Sequence, residues 1–326
     1  MGINTPRYIC GGGIRIDYII RHDGRVHNGI VGGNALYAAV GAALWTQNVA
    51  VWGRVGVNYP QQWLNELSKY GLDTSSIIQL DTPQDHRTFY AYLPDGRRED
   101  TNPAYHFARI GHPLPEALHG YIHSTPGQDN PHQYEPLALR PDDWPTHFDP
   151  LPQRPTVVHL SPLALSTHLH LPPFLRQRGV GQITADPGER YMQPDNIPWL
   201  RQFLPHLDAF LPSEQEIRTL FGPKMGVWEA AETLCDWGVP LVVIKLGAKG
   251  VIMLEGKNGR RTELPAIYQA NDPRVVDVTG AGDAFCGGFM VGLAQTGSPR
   301  QAAQMGLQSA ARVLEGYGAL YALQNR

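Results

Sequence analysis

The sequence predicts an α/β fold in which helices cover both faces of a mostly parallel central sheet. Along the 326 residues, short β-branched runs alternate with longer segments rich in alanine and leucine, the pattern of parallel strands joined by crossover helices. Several of the β-branched runs are continuously apolar, as expected for strands buried on both faces. Length alone allows one large domain or two smaller ones. We interpret the alternation as a single domain over residues 1–326, a three-layer αβα sandwich.

The individual elements follow from where these runs begin and end. The predicted strands are residues 8–11, 49–55, 156–160, 182–186, 209–211 and 241–246. The predicted helices are residues 35–44, 61–70, 214–221, 227–237, 284–295 and 299–315. The second of these helices is followed by Gly71, and glycine favours helix termination.

Two segments depart from this pattern and predict a second, smaller sheet. Residues 14–29 and 87–98 each alternate like a β-hairpin around an Asp-Gly turn, at Asp23-Gly24 and at Asp95-Gly96. Two strand pairs separated by a helical unit can join outside the main sheet. We therefore expect residues 14–30 and 87–100 to form a lid.

A proline- and histidine-rich segment predicts an irregular surface excursion over residues 103–155. The window 103–173 holds 14 of the 28 prolines and 9 of the 13 histidines, with little periodic apolar content. Its histidines have no regular spacing, and His168 and His170 are only two residues apart. Such spacing rarely matches the tetrahedral geometry of a zinc site.

The composition excludes several classes of function. The chain is 42% hydrophobic and 17% charged, and its net charge of −3 includes no long run of one sign, so no nucleic-acid surface is predicted. Cys10, Cys235 and Cys286 lie far apart, which favours reduced thiols in a cytoplasmic protein. No stretch approaches the roughly 18 apolar residues that span a bilayer, so no membrane contact is expected.

The stretch VVDVTGAGDAFCGGFMVG at residues 275–292 carries the chemistry that the sequence indicates. Gly280 and Gly282 allow a tight turn that exposes successive N–H groups, and a helix beginning near Asp283 adds the positive end of its dipole. This arrangement binds an anion, and Asp283 is expected to stay ionised beside it. In the alternative interpretation, Asp283 only caps the helix and the glycines only permit close packing. The stretch is neither a P-loop nor GxGxxG, since Phe285 replaces the last glycine.

The same stretch resembles the signature of a known family. VDVTGAGDAF at residues 276–285, followed by Gly287-Gly288-Phe289, is similar to the C-terminal signature of the ribokinase-like, or PfkB, carbohydrate kinases. VGGNA at residues 31–35, GRVG at 53–56 and KLGAKG at 245–250 resemble three further motifs of that family. These matches follow the family's order and usual spacing from about residue 8 to about residue 315.

The resemblance implies a ribokinase-like fold with a small β-sheet lid, and an ATP-dependent kinase acting on a hydroxyl of a small sugar, sugar acid or nucleoside. Asp283 would act as the general base, and the amides of Gly280, Ala281, Gly282 and Asp283 would form an anion hole. Phosphoryl transfer depends on positioning more than on base strength, so an aspartate of ordinary low pKa would suffice. The implied cofactors are ATP and Mg²⁺, with a monovalent cation such as K⁺ as a further candidate.

The resemblance also implies which residues contact the substrate and the nucleotide. The substrate residues are Asp17, Gly32, Gly33 and Asn34. An aspartate can accept bonds from two neighbouring hydroxyls, whereas the alternatives are an exposed edge-strand charge for Asp17 and a helix N-cap for Asn34. The nucleotide residues are Lys245, Gly247, Lys249, Gly250 and Thr279, although Lys249 is also interpretable as a solvated turn residue.

The sequence departs from the family pattern in three places. The family's Asn-x-x-Glu motif, which supports magnesium, appears as Ser213-Glu214-Gln215-Glu216, so Glu216 keeps the carboxylate and Ser213 replaces the amide. Asn58 replaces a common aspartate, and Lys245 stands where threonine is frequent. These departures concern the metal and nucleotide contacts, whereas the Gly-Ala-Gly-Asp sequence at residues 280–283 is intact.

Three competing functions remain open at this point. A sugar-phosphate kinase would need cations such as Arg15, Arg87, Arg97 or Arg98, although arginines on a lid are more often solvated or paired with acids. A catalytically weak sugar- or nucleotide-binding regulatory protein would fit the altered Ser213 and Asn58. A dinucleotide-dependent oxidoreductase would rest on Gly11-Gly12-Gly13 alone, without GxGxxG. We favour an unphosphorylated substrate and a homodimer formed through exposed edges of the lid.

Overall fold

The computed structural model describes residues 7–93, 98–121, 135–151 and 154–324. Its strands are β1 Arg7–Gly11, β2 Arg15–Ile20, β3 Val26–Gly32, β4 Val49–Gly56, β5 Ile77–Leu80, β6 Arg87–Tyr92, β7 Arg98–Glu99, β8 Thr156–Leu160, β9 Gln182–Ala185, β10 Ala209–Phe210, β11 Leu241–Lys245, β12 Val251–Glu255 and β13 Arg260–Leu264. Its helices are α1 Asn34–Ala43, α2 Gln61–Lys69, α3 Pro103–Arg109, α4 Leu165–Gln177, α5 Ile197–Phe203, α6 Glu214–Phe221, α7 Val227–Asp236, α8 Ala281–Thr296, α9 Pro299–Leu314 and α10 Tyr321–Gln324.

The central sheet is mostly parallel, as predicted. Within the described residues it has nine strands in the order β13-β12-β11-β10-β9-β8-β1-β4-β5. The strands from β11 to β5 run parallel, and only β12 and β13 add an antiparallel edge. The chain places β4 on one side of β1 and β8 on the other, so the loops that leave the carboxyl ends of β1 and β8 diverge. In open α/β sheets such a switch point is where ligands bind.

The sequence did not predict β5, β12 or β13. β13 is mostly exposed and polar, so it has no apolar run to identify it. Helix α4 was also not predicted, because its Pro172 and Pro173 belong to the proline-rich window 103–173 and argue against a helix. Leu171 and Leu175 of this helix are fully buried, and their burial stabilises a helical conformation that the prolines alone would oppose.

Helices cover both faces of the central sheet. One face packs against α4 to α7 in a core that includes Phe203, Phe210 and Leu234. The opposite face packs against α1, α8 and α9, whose contacts with the sheet form two adjoining clusters. Across the described residues, none of the helices combines the length and the apolar character needed to span a membrane.

Part of the proline- and histidine-rich segment belongs to the main core. The segment contains α3 and short 3₁₀ turns, and residues 122–134 and 152–153 lie outside the described part. Phe148 is fully buried, and the Trp144 ring meets the Trp52 ring edge-on at 5.2 Å between centroids. Within the described ranges, no group of three or more histidine, cysteine, aspartate and glutamate side chains is arranged to hold a metal ion.

The small sheet is present and has the order β3-β2-β6-β7. β2 pairs with β3 and β6 with β7 as antiparallel hairpins, while β2 and β6 join in parallel with Asp17 opposite Thr88. The outer face of this sheet packs against α3, where Phe89 contacts a cluster that includes Phe107. The predicted Asp95-Gly96 turn lies outside the described residues, as does Arg97.

Helix α8 begins at Ala281, three residues before its predicted start, and lies between α1 and α9. Its glycines permit this close approach. A Cβ atom at Gly287 would overlap the carbonyl oxygen of Ala38 in α1, and one at Gly292 would lie 2.7 Å from the Cα of Ala302 in α9. The glycines therefore fix how far α8 sinks between its neighbours.

Replacing Gly287 by alanine tests this packing. In an exposed helix the change would be stabilising, but here the methyl group must displace backbone, and overpacking costs about 1–3 kcal/mol. We expect Gly287→Ala to lower the free energy of unfolding by about that amount, measured by urea denaturation. Gly181→Ala is the control, since its Cβ would meet only the Thr156 carbonyl oxygen at 3.7 Å. Equal stability of the two variants would contradict the packing argument.

Candidate active site

The candidate site lies where the carboxyl ends of the parallel strands meet the first turn of α8. Lys245 ends β11, Asp186 follows β9, and Gly12 follows β1. The small sheet covers this edge, since Tyr92 of β6 contacts Thr279 just before α8. The site therefore has a floor of strand ends, one wall formed by a helix N-terminus and a cover formed by a separate sheet.

The first turn of α8 is built to present its backbone N–H groups. Gly280 is the N-cap residue and has the left-handed conformation, φ 74° and ψ 0°. A side chain there would be strained, and a Cβ would also overlap the Tyr37 ring. The first N–H groups of a helix have no partner within the helix, and the helix dipole adds positive potential at them. The predicted anion-binding residues Gly280, Ala281 and Gly282 thus share one turn.

Asp283 lies on this turn and is partly exposed. Burial raises the pKa of Asp283 to about 7, although the nearby Lys245 ammonium favours its charged form. The negative charges of Glu216 and Asp17 also raise the pKa of Asp283. The expectation of an ordinary low pKa was therefore wrong, because the sequence does not show how much of the surrounding water is removed.

A buried ion pair between Lys245 and Asp186 lies directly behind the first turn of α8. Asp186 is 3% exposed, and its Oδ1 atom has no hydrogen-bond partner among the described residues. Burial disfavours the charged form of Lys245, but Asp186, Cys286 and Glu216 together outweigh this effect and raise the pKa of Lys245. A Cβ at Gly282 would lie 3.8 Å from Lys245 Nζ, so the ammonium group is next to the helix turn.

Sequence reasoning missed Asp186. It was predicted as the last residue of a buried strand, and a carboxylate at the carboxyl end of such a strand was the signal that could have identified it. Burial raises the pKa of Asp186 to about 6, with Lys245 acting in the opposite direction. Its position on the chain, far from every family motif, is why the resemblance did not point to it.

Glu216 and Ser213 form a capping box at the start of α6. Glu216 Oε2 accepts from the Ser213 N–H at 2.6 Å, and Ser213 Oγ accepts from the Glu216 N–H at 3.2 Å. Burial, followed by the Asp186 charge, raises the pKa of Glu216 to about 7. Glu216 therefore lies close enough to Lys245 and Asp186 to share their electrostatic environment.

Several predicted nucleotide residues line one open pocket of about 450 Å³. It is lined by Ser213, Glu214, Gln215, Arg218, Lys245, Leu246, Gly247 and Lys249. Lys249 is 75% exposed and lies 3.7 Å from Glu214, while Gly250 closes the turn after it with φ 98°. Thr279 lies apart from this pocket, where it contacts the small sheet.

The predicted substrate residues meet on the other side of the site. Asp17 is 2% exposed, accepts a hydrogen bond from Thr88 Oγ1 and packs so tightly on Gly32 that a Cβ there would overlap its carboxylate. Burial raises the pKa of Asp17 to about 7, and the Thr88 bond opposes this shift. Asp17 is thus not an exposed edge-strand charge.

Asn34 connects two loops at the strand ends. Its Oδ1 accepts from the Gly13 N–H at 2.7 Å, and its Nδ2 donates to the Pro162 carbonyl at 2.5 Å. Gly33, with φ 106°, is the N-cap of α1, so Asn34 is not the cap. Its side chain holds together the loops after β1 and β8 that border the site.

The arginines considered for a sugar phosphate have acidic or backbone partners. Arg87 makes a 2.7 Å ion pair with Asp85, and Arg98 lies 3.8 Å from Glu189. Arg15 is 6% exposed and donates to the Asp85 carbonyl at 3.3 Å. Within the described residues, each of these three arginines therefore already has a polar or acidic partner.

Comparison with known proteins finds that this chain is similar to carbohydrate and nucleoside kinases. Residues 189–326 match the sequence model of the pfkB family carbohydrate kinases. A cytidine kinase of Thermococcus kodakarensis is 28% identical over 310 residues, which is 94% of this chain and 95% of that protein.

Solved structures share the fold over nearly the whole chain. Aminoimidazole riboside kinase from Salmonella enterica, complexed with aminoimidazole riboside and an ATP analog, has a TM-score of 0.67 at 18% identity, covering 97% of this chain and 96% of that chain. Fructokinase from Vibrio cholerae, bound to fructose, ADP and calcium, has a TM-score of 0.67 at 21% identity, covering 98% and 96%. The ribokinase-like αβα fold with a separate small sheet is thereby confirmed.

The raised pKa of Asp283 predicts a pH-dependent effect on stability. Its folded pKa of about 7 exceeds the ordinary value of 3.8, so the favourable contribution is complete below 3.8 and is lost as pH rises through 7. Asp283→Asn removes this loss, which begins near the unfolded pKa of 3.8 and is complete above the folded pKa of about 7. We therefore expect the variant to melt well above wild type at pH 8 and by a clearly smaller margin at pH 5. Asp195→Asn, at an exposed position, is the control. An equal shift at both pH values would argue against the raised pKa.

Proposed function

We propose that this chain is a sugar or nucleoside kinase of the pfkB carbohydrate kinase family, and that it transfers the γ-phosphate of ATP to a hydroxyl of an unphosphorylated nucleoside or sugar. The observation that carries the proposal is the placement of Asp283 on the first turn of α8, beside its backbone N–H groups and the Lys245 ammonium. A proton acceptor and an anion site thus lie on one helical turn.

Asp283 is proposed to remove the proton of the attacking hydroxyl. A general base works best when its pKa lies near the operating pH, and burial brings the pKa of Asp283 to about 7. The shift therefore suits the proposed role better than an ordinary aspartate would.

The amides of Gly280, Ala281, Gly282 and Asp283 are proposed to hold the charge of the transferring phosphoryl group. The left-handed Gly280 and the packing of α8 place these amides on one turn, and donors directed at the developing charge stabilise the transition state. Lys245 adds a positive charge next to Gly282. Lys245 thus supplies in this chain an electrostatic contribution that threonine would not.

The nucleotide is proposed to lie in the pocket of Lys245, Gly247 and Lys249, with Gly250 shaping its rim and Thr279 supporting the anion hole. Mg²⁺ would neutralise phosphate charge there. Carboxylate oxygens are its preferred protein ligands, and Glu216 together with the unpartnered Asp186 Oδ1 fits that chemistry. A monovalent cation such as K⁺ is a second candidate cofactor. In related structures the bound species are an ATP analog, or ADP with calcium.

A ribonucleoside is the acceptor that we propose to test first. The relative that covers nearly the whole chain is a cytidine kinase. An aspartate can accept from two neighbouring hydroxyls, which is the role proposed for Asp17, and Asn34 retains an N–H on the site's border. The missing side chains of Gly32 and Gly33 leave room for the Asp17 carboxylate and for the backbone of residues 13–15, so these glycines are proposed to shape the acceptor site. Tyr90, on the same strand as Thr88, offers an aromatic side chain for a base.

The protein is proposed to act in the cytoplasm and to form a homodimer through the lid. Because α3 covers the outer face of the small sheet, such a dimer would have to use its edges, β3 or the two-residue β7. Analytical ultracentrifugation of the purified chain decides this point.

Turnover of ATP with a panel of nucleosides, sugars and sugar phosphates tests the proposed reaction. We expect phosphorylation of a nucleoside or free sugar, and we expect Asp283→Asn to lower kcat by roughly 10²–10⁴-fold because it removes the general base. For wild type, kcat/KM should rise as pH increases through about 7, since the base must be unprotonated. Asp195→Asn should keep full activity. Ligand binding without turnover of any acceptor would favour the regulatory alternative.

Deoxynucleosides test the role of Asp17. If its carboxylate accepts from two ribose hydroxyls, Asp17→Asn should raise the acceptor KM by roughly 10-fold or more, because a bond to a charged acceptor contributes about 1.5–3 kcal/mol. Wild type should bind the 2′- and 3′-deoxy acceptors more weakly than the ribonucleoside. For Asp17→Asn, the difference in affinity between the deoxy acceptors and the ribonucleoside should be much smaller. Equal losses with both enzymes would show that Asp17 does not contact these hydroxyls.

A further inference from the structure

A chain of hydrogen bonds connects the small sheet to the loop that precedes the anion hole. Tyr92 Oη, near the end of β6, lies 2.7 Å from Thr279 Oγ1. Thr279 Oγ1 donates to Asp277 Oδ1 at 2.8 Å, and the Thr279 N–H donates to the same oxygen at 3.0 Å. Thr279 is directly followed by Gly280, the N-cap of α8.

The direction of each bond in this chain can be assigned. The single hydroxyl proton of Thr279 is used toward Asp277, so Thr279 Oγ1 must accept from the Tyr92 hydroxyl. Burial raises the pKa of Tyr92 to about 12, so its hydroxyl keeps the proton that it donates. The bonds therefore run from Tyr92 to Thr279 to Asp277.

The far end of the chain is anchored to the main body. The N–H groups of Val276 and Asp277 both donate to the Leu314 carbonyl at the end of α9, at 2.7 and 3.2 Å. Asp277 and Thr279 are 5% and 8% exposed, so water competes little for their bonds. Within this series of hydrogen bonds, the bond between Tyr92 and Thr279 is the one that joins the small sheet to the main body. Movement of the small sheet would therefore break that bond.

We propose that Tyr92 is a positioning residue that orders the anion hole when the small sheet covers the site. The Tyr92 hydroxyl fixes Thr279, and Thr279 sets the direction in which the amides of Gly280 to Asp283 point. Closure of the sheet would then complete the phosphate site, so that transfer is favoured only when an acceptor is covered. The kinetic part of this inference rests on the proposed kinase activity.

Variants of the full chain test the inference by two readouts, amide hydrogen exchange of residues 277–284 and steady-state kinetics. We expect Tyr92→Phe to speed exchange in this segment and to lower kcat, each roughly three- to tenfold, as for loss of one hydrogen bond. The KM for ATP should change less than twofold. Tyr18→Phe is the matched control, since it makes the same chemical change in the same sheet on the face packed against α3.

Substitutions of Thr279 separate the hydroxyl from the rest of the side chain. Thr279→Ser keeps the hydroxyl and should match wild type in both readouts. Thr279→Val should speed amide exchange and lower kcat at least as much as Tyr92→Phe does. The double variant Tyr92→Phe with Thr279→Val should be no worse than Thr279→Val alone, because both changes remove the same bond.

The outcomes distinguish this inference from the proposed function. If Tyr92→Phe leaves exchange in residues 277–284 as slow as Tyr18→Phe does, the positioning role is refuted even in an active kinase. If wild type phosphorylates no acceptor, the kinase proposal fails, and faster exchange in Tyr92→Phe still supports the coupling of the sheet to the loop.

Discussion

The close approach of α8 to α1 and α9 is the constraint on which the site depends. Gly287 and Gly292 let the helix sink until backbone meets backbone, which leaves no freedom along its axis. The N-terminus of α8 is thereby held at the carboxyl ends of β9 and β11, where Asp186 and Lys245 lie. A larger residue at either glycine would move Asp283 and its neighbouring amides together, since they belong to the same rigid turn.

This placement brings three carboxyl groups and one ammonium group close together at the strand ends. Asp186, Glu216 and Asp283 all have raised pKa values, and each influences another of the three. Lys245 opposes the shift in every case. Removing one partner of a buried ion pair costs far more than the pair contributes, so Lys245 and Asp186 are expected to depend on each other. An arrangement of this kind is stable only while the lysine stays charged, and Asp186 raises its pKa to keep it so.

The sequence predicted the class of fold and the main site because these follow from local patterns. Alternation of apolar runs predicted the strands, and the glycine turn before Asp283 predicted the start of a helix to within three residues. Asp186 was missed because its importance arises from Lys245, 59 residues away along the chain. The bond between Tyr92 and Thr279 spans 187 residues and could not be inferred from either position. Burial likewise appears only in three dimensions, which is why the pKa of Asp283 was predicted too low.

The charges around the residues proposed to bind the acceptor support the proposal of an unphosphorylated substrate. Asp17 and Asp277 are 2% and 5% exposed. Asp277 raises the pKa of Asp17, and both carboxylates raise the pKa of Tyr37, so the region already disfavours negative charge. A sugar phosphate would bring roughly two further negative charges at neutral pH. Arg87 makes an ion pair with Asp85 and Arg98 lies 3.8 Å from Glu189, so each of these arginines already has an acidic neighbour. A neutral nucleoside or sugar meets no such cost, because its hydroxyls donate hydrogen bonds to the carboxylates already present.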